Sequence, residues 1–332
     1  MAKLAARNAG FDLVRATEAA ALSAGRWMGL NRHDEADQAA TEAMARALNA
    51  MDMDGYIVIG EEGKLGRHSP LDTGQHVGTG DGPLLDVVVD PIDGGRLLAQ
   101  GLPGAIAVAG LAPHGSIRSL HPAIYMDKVV VDRTVAQALV PECLDAPAAW
   151  VLALIARLKK KEIRDLVVFI LDRPRHAALI EEIRTAGARV MLRSDGDIAG
   201  ALLAASPHSG VDLLMGIGGI PEGIIAACAI RALGGAMLGR LAPQSEAERE
   251  AMQSAGLDSQ PIFTAIDLVS SNEVFFAATG ITDGPLLAGV HYQGEQAETH
   301  SLVLRCETHR RRQIYAEHSL EEPTSRQVES SN

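Results

Sequence analysis

Aromatic residues are scarce in this chain, at 3% of 332 residues, and their scarcity already excludes some functions. A surface that stacks on unpaired bases interleaves rings with cations, and no such pattern is present. Basic residues are also in deficit. The 30 Lys and Arg against 42 Asp and Glu leave a formal charge of -12, which argues against a nucleic-acid or anionic-membrane surface. An anionic substrate must then be met by local positive charge from Arg side chains, helix N-termini or a bound cation. Cysteine is rare too: Cys143, Cys228 and Cys306 are widely spaced, odd in number and outside any CxxC or Cys/His cluster. That speaks against zinc sites and disulfide frameworks and for reduced, buried thiols. No apolar run approaches the ~20 residues of a membrane span, and Met1-Ala-Lys-Leu-Ala-Ala-Arg7 lacks the apolar core of a signal peptide. The expectation is a reduced cytoplasmic protein with neither nucleic acid nor membrane among its partners.

What is abundant is small and aliphatic. Apolar residues make up 47% and charged residues 22% of the chain, the balance of a globular protein with a core of Ala, Val, Ile and Leu. The length allows two domains. An Ala-rich pattern over residues 11–22 and an apolar face over 35–51 predict two helices. Tyr56-Ile-Val-Ile59 reads as a strand, and the polar, Gly-rich stretch 64–82 as a loop or hairpin. From about residue 150 the pattern changes to alternating strands and helices. Strands are expected at 166–171, 189–192, 211–215 and 274–277, with helices around 179–183, 198–205 and 222–233. Such alternation predicts βαβ units and a largely parallel sheet. The expected division is an α+β domain over 1–150, an α/β domain over 151–316 and a disordered polar tail over 317–332.

The most informative segment is Asp86-Val-Val-Val-Asp90-Pro-Ile-Asp93-Gly-Gly-Arg96. Its β-branched run reads as a buried strand that Pro91 ends. Asp90 and Asp93 then sit three residues apart on a turn made permissive by Gly94 and Gly95. Like charges placed so close repel, so the pair is either a solvated turn or a site for a hard divalent cation. Other strand ends carry Asp172-Arg173-Pro174-Arg175-His176, Asp195-Gly196-Asp197 and Gly216-Ile-Gly218-Gly219-Ile-Pro221-Glu222-Gly223. Arg173 and Arg175, flanking rigid Pro174, are ordinary surface charges or phosphate ligands. Asp195 and Asp197 cap a helix or accept hydrogen bonds from sugar hydroxyls. Glu222 is a favourable dipole partner at a helix start or a metal ligand. The glycines at 216–219 depart from the dinucleotide fingerprint, with Pro221 where its last Gly belongs.

Taken in order with Ala36-Asp37-Gln-Ala-Ala40, Asp54-Gly-Tyr-Ile-Val-Ile-Gly-Glu61, Tyr125-Met-Asp-Lys128 and Ala278-Thr-Gly-Ile-Thr-Asp-Gly284, these segments are highly specific. From about Phe11 to Arg312 the chain resembles the class II, GlpX-type fructose-1,6-bisphosphatases, some of which also act on sedoheptulose-1,7-bisphosphate. The resemblance implies the layered sugar-phosphatase fold of the lithium-sensitive phosphatases and a Mn²⁺ or Mg²⁺ cofactor. It also implies hydrolysis of the 1-phosphate of a sugar bisphosphate through in-line attack by a metal-activated water. By matching positions, Asp37, Glu61 and Asp90 hold one metal, and Asp90, Asp93 and Glu222 another. Asp90, Asp93 and Glu61 are the catalytic carboxylates. Gly94, Gly95, Tyr125, Arg173 to Arg175, Asp195 to Asp197 and Gly219 join Asp93 in contacting the substrate. A homo-oligomer, dimer or tetramer, is implied as well.

The chain departs from the family at D-P-x-E-G-T, where Asp93 stands for Glu and Gly95 for Thr. After Glu61, where the family writes G-E-x-D-E-A-P, it reads Glu62-Gly-Lys64-Leu-Gly-Arg67-His68-Ser-Pro70, and His33 replaces a Lys. The alternative to a working enzyme is a catalytically weakened paralogue that binds metal and sugar phosphate as a partner subunit.

Overall fold

The computed structural model describes residues 9–61 and 68–320. The altered loop after Glu61 therefore lies outside the described residues, save for its last three. The chain opens with helices α1 (Ala9–Ala24) and α2 (His33–Asn49), then strands β1 (Asp54–Ile59), β2 (His76–Val77) and β3 (Leu84–Asp93), helix α3 (Gly95–Ala99) and strand β4 (Ile106–Pro113). Its middle runs β5 (Tyr125–Val131), α4 (Ala148–Lys159), β6 (Val167–Leu171), α5 (Ala177–Thr185), β7 (Arg189–Arg193), α6 (Asp197–Ala205), β8 (Leu213–Gly219) and α7 (Ile220–Leu233). After β9 (Ala236–Leu241), α8 (Glu246–Ser254), β10 (Ile262–Thr264) and α9 (Ala265–Leu268), it closes with β11 (Phe275–Gly280), β12 (His291–Gln293), β13 (Gln296–Arg305) and β14 (Arg310–Ser319).

These elements stack as five layers. The Val87-Val-Val89 run shows why. Val87 and Val89 face a core shared with Leu13, Met44 and Leu48 of the first two helices. Val88, on the opposite face, packs with α6, α7 and the second sheet. In that second sheet Val130 and Phe169 join the central core, while Val129, Val131 and Val168 face Val151, Leu152, Ile180 and Ile183 of α4 and α5. Both sheets are thus covered on both faces at their centres, so central strands such as β3, β4 and β6 read as near-continuous apolar runs rather than alternating ones. α7 is buried nearly all round, as a helix between two sheets must be. Buried hydroxyls fix α1 to the first sheet: Thr17 Oγ1 lies 2.8 Å from that of Thr279, which lies 2.8 Å from Ser301 Oγ.

Five sequence expectations are corrected. Among the described residues the first sheet, in order β12-β13-β11-β4-β3-β1-β2 with β14 on β13, has one parallel pair, β1 with β3. The second, β10-β9-β5-β8-β6-β7, is parallel only where β6 meets β7 and β8. The sheets are therefore mixed, not largely parallel. In the second sheet the parallel pairings join β6, β7 and β8, which α5 and α6 connect, whereas β5 enters from the first half of the chain in the opposite sense. Pro91 does not end β3. It has no N–H to give the ladder, and the register slips between Asp90 and Asp93 while the strand continues. The glycines at 216–219 are strand, not loop, paired residue by residue with β5. The tail does not begin at 317, because β14 pairs with β13 through Ser319; residues 321–332 lie outside the described residues. Residue 150 is not where the sheets change over: β5 belongs to the second, and residues 275–319 return to the first. Among the described residues no helix is long and apolar enough to cross a membrane, and all three cysteines are free and buried.

Candidate active site

Two Asp-Gly turns from different sheets meet between the layers. Gly94 follows β3 and Gly196 follows β7, both in the left-handed region at φ 94° and 87°. An L side chain adopts that conformation only with strain. Each turn leads into a helix, and each aspartate serves the other's helix. Asp93 Oδ2 accepts the N–H of Ala199 in the first turn of α6 at 2.9 Å. Asp195 Oδ2 accepts the N–H of Arg96 at the start of α3 at 3.2 Å. Asp90 is turned inward at the register slip, its Oδ1 accepting the N–H of Ile92 at 3.1 Å.

This convergence concentrates negative charge. Burial holds the Asp93 carboxyl well above the usual carboxylate range, and Asp90, Asp195 and Asp197 add to the effect while the Ala199 N–H opposes it. Glu61, buried one residue beyond Gly60, belongs to the same sheet end. Parallel pairing of Ile59 with Val88 carries it to the level of Asp90, and its own N–H is bonded to Leu71 O at 3.0 Å. A Cβ on Gly60 would overlap that Leu71 carbonyl, so glycine is required there. Asp37 is half-buried on the second turn of α2.

Positive charge enters from the second sheet. Lys128 of β5, 1% exposed, is ion-paired with Asp197, and its Nζ lies 3.5 Å from Gly219 O. The glycines at 218 and 219 make room for charge: a Cβ at Gly218 would strike both Asp197 and Lys128, and one at Gly219 would strike the Glu222 carboxylate. The guanidinium of Arg175 donates through Nε and Nη2 to Ile217 O at 3.2 and 2.8 Å and stacks 5.0 Å from the Tyr125 ring centroid. Arg173 donates to Ser194 O and reaches Asp195 at 3.8 Å.

Part of the sequence-derived set is thus gathered in two groups. Asp90, Asp93, Asp195 and Asp197 interact directly, with Arg173 and Lys128 beside them. Tyr125, Arg175, Gly219 and Glu222 line the adjoining β5–β8 edge. Among the described residues, no three His, Cys, Asp or Glu side chains stand close enough together to hold a metal ion as placed. Asp93 and Asp197 are turned to Ala199 and Lys128. The donor chemistry nevertheless fits a hard cation, because buried oxygens that raise one another's proton affinity are the ligands Mg²⁺ and Mn²⁺ take.

A family model described as bacterial fructose-1,6-bisphosphatase, glpX-encoded, matches residues 7–318. The chain belongs to this family. It is 39% identical over 330 residues to the class 2 fructose-1,6-bisphosphatase of Haemophilus influenzae, covering 95% of this chain and 97% of that protein. It is 37% identical over 328 residues to fructose-1,6-bisphosphatase 1 class 2 of Escherichia coli K12, covering 95% and 96%. The layered α/β fold is the one expected for a GlpX-type sugar phosphatase, and the family is one of metal-dependent phosphatases.

Sequence reasoning missed two residues of this GlpX-type site. Lys128 stands inside a quoted motif, but a lone Lys on a strand signals nothing until its carboxylate partner is known. His176, at the end of Arg173-Pro-Arg-His, is buried behind the arginines. Its Nδ1 lies 2.7 Å from Leu171 O, and Nε2 accepts the N–H of Ile217 at 2.8 Å. It therefore holds the carbonyl-bearing segment that pins Arg175.

Removing Lys128 strands Asp197 in a buried site. Lys128→Ala is expected to cost about 3–5 kcal/mol in urea unfolding. Lys128→Met with Asp197→Leu should recover most of that stability while substrate binding stays lost.

Burial holds the His176 pKa below its ordinary 6.5, helped by Arg175 and opposed by Leu171 O, Asp127 and Asp197. The unfolded chain then takes up the proton first. The stability contributed by neutral His176 is complete above pH 6.5 and is lost as pH falls from there toward the folded value. Urea midpoints should accordingly fall more steeply below that pH in the parent chain than in His176→Gln.

Proposed function

We propose that this chain is a phosphoric monoester hydrolase acting on the 1-phosphate of a sugar bisphosphate. Fructose-1,6-bisphosphate is the first candidate substrate and sedoheptulose-1,7-bisphosphate the second. The observation that carries the reading is the meeting of the buried Asp90, Asp93 and Asp197 and the half-buried Asp195 with the Arg173, Arg175 and Lys128 cations. Carboxylates alone repel a phosphate, and arginines alone do not activate water; together they divide the two tasks.

Arg175 is pinned through Nε and Nη2, which leaves Nη1 for a phosphate oxygen. Tyr125 stacks beneath it and offers its hydroxyl to the same group. Asp195 and Asp197, at the turn around Gly196, suit hydrogen bonds from sugar hydroxyls, and Gly219 lets the chain approach closely. Asp37, Glu61, Asp90, Asp93 and Glu222 are the residues to hold Mn²⁺ or Mg²⁺. Such an ion supplies charge neutralisation at the transferring phosphoryl group and lowers the pKa of an attacking water. Asp90 and Asp93, fixed by the N–H groups of Ile92 and Ala199, keep two donor carboxylates at one strand end. The same reading places the enzyme in the cytoplasm as a homo-oligomer of two or four copies. In support, β14 pairs among the described residues only with β13, which leaves an outer backbone edge.

Phosphate release from fructose-1,6-bisphosphate is expected to require Mn²⁺ or Mg²⁺ and to vanish in Asp90→Ala. Background turnover by the parent on every sugar bisphosphate tried, with ligand still bound, would overturn the proposal.

Gly95 bears on rate. A Cβ there meets nothing within 4 Å, and the position begins a short helix beside Asp93 and Asp195. Gly95→Thr is expected to fold normally and to raise kcat, by up to about 10²-fold if its hydroxyl orients the attacking water. An unchanged kcat in a folded variant would assign that orientation to another group.

A further inference from the structure

Helices α6 and α7 both begin at the site, with Asp197 and Glu222 in their first turns. They lie side by side in the central layer. At 1.5 Å per residue, the 14 residues of α7 carry the chain about 20 Å to the far side of the molecule. There, Pro207 and His208 beyond α6 and Gly234 beyond α7 line a cavity of about 460 Å³. Arg133, from the segment after β5, and His309 and Arg311, from the β13–β14 turn and β14, complete its wall.

The composition of this wall is one-sided. It holds two arginines, two histidines and no carboxylate, on a chain whose formal charge is -12. Basic groups at helix C-termini commonly meet the last carbonyls, and His309 does so, with Nδ1 3.3 Å from Ala232 O. The Arg133 and Arg311 guanidinium groups do not: among the described residues they form no hydrogen bond or ion pair. His208 and His309 also adopt left-handed backbone, at φ 63° and 46°, two of four non-glycine residues that do so among those described. Strain of this kind concentrates at ligand sites. The volume lies in the range of small-molecule pockets, and two guanidinium forks suit the oxygens of a phosphate.

We propose that this cavity is a second, non-catalytic site for a phosphate-bearing small anion, held by Arg133, Arg311, His208 and His309. Its floor is the far end of the two helices that carry Asp197 and Glu222, so an occupant there is placed to be linked to events at the first site. The proposal does not depend on which sugar bisphosphate the enzyme hydrolyses.

Equilibrium dialysis of the full chain against radiolabelled inorganic phosphate separates the two sites. The parent should bind two phosphates per chain. Arg175→Ala should weaken one of them, and Arg133→Ala with Arg311→Ala should weaken the other by about tenfold or more while leaving the thermal midpoint unchanged. The single reversal Arg311→Glu, at an exposed strand position, provides the same readout should the double variant lose its fold. A folded variant of either kind that binds phosphate with the parent's stoichiometry and affinity overturns the proposal. So does a single phosphate per parent chain that Arg175→Ala abolishes.

Discussion

Asp93 caps the helix that follows Asp195, and Asp195 caps the helix that follows Asp93. This crossed pair of carboxylate-to-amide bonds joins the first sheet to the second at the point where both present their chemistry. Both aspartates must leave their strands through left-handed glycine, since only that turn sends the following helix across the partner's carboxylate. The bonds hold negative groups within reach of one another. Burial raises the proton affinity of Asp93, and that crowding adds to it. A protein gains nothing in stability from four such groups unless a cation offsets them.

The cations are arranged with equal constraint. Lys128 is buried against Asp197 beside Gly218, where a Cβ would press on both side chains, so the β8–α7 corner is built around the ion pair. Arg175 is held by Ile217 O, whose segment is held in turn by the neutral ring of His176. Gly216, Gly218 and Gly219 therefore belong to a strand beside which charged groups can lie.

Much of the architecture was legible in residue order. The helices at α1, α2, α5, α6 and α7 follow from local apolar spacing. Strands β1, β3 and β6 follow from β-branched runs, because burial on both faces removes the need for alternation. Strand direction was not legible. Whether β5 runs with or against β8 depends on a crossover between halves of the chain, and no local pattern encodes it. Pro91 misled for a related reason: it removes one donor, and the ladder absorbs the loss by slipping register rather than stopping. At the site, the carboxylates and arginines stood out because their types are unusual at strand ends. Lys128 and His176 did not, since each becomes meaningful only through a partner dozens of residues away.

Sequence alone determined the chemistry. The order of segments such as Ala36-Asp37-Gln-Ala-Ala40, Asp90-Pro-Ile-Asp93-Gly94 and Gly216-Ile-Gly-Gly-Ile-Pro-Glu-Gly223 carried the resemblance to the family, and a set of oxygen donors for a hard cation followed from that resemblance. Tertiary structure decided which of those groups face one another, why glycine is required at 60, and that Lys128 rather than solvent neutralises Asp197. It also brought the basic residues at 133, 208, 309 and 311 into one cavity. The physical reason is the same in each case: side-chain type is written locally, whereas desolvation and charge pairing act across space between segments that only the fold makes neighbours.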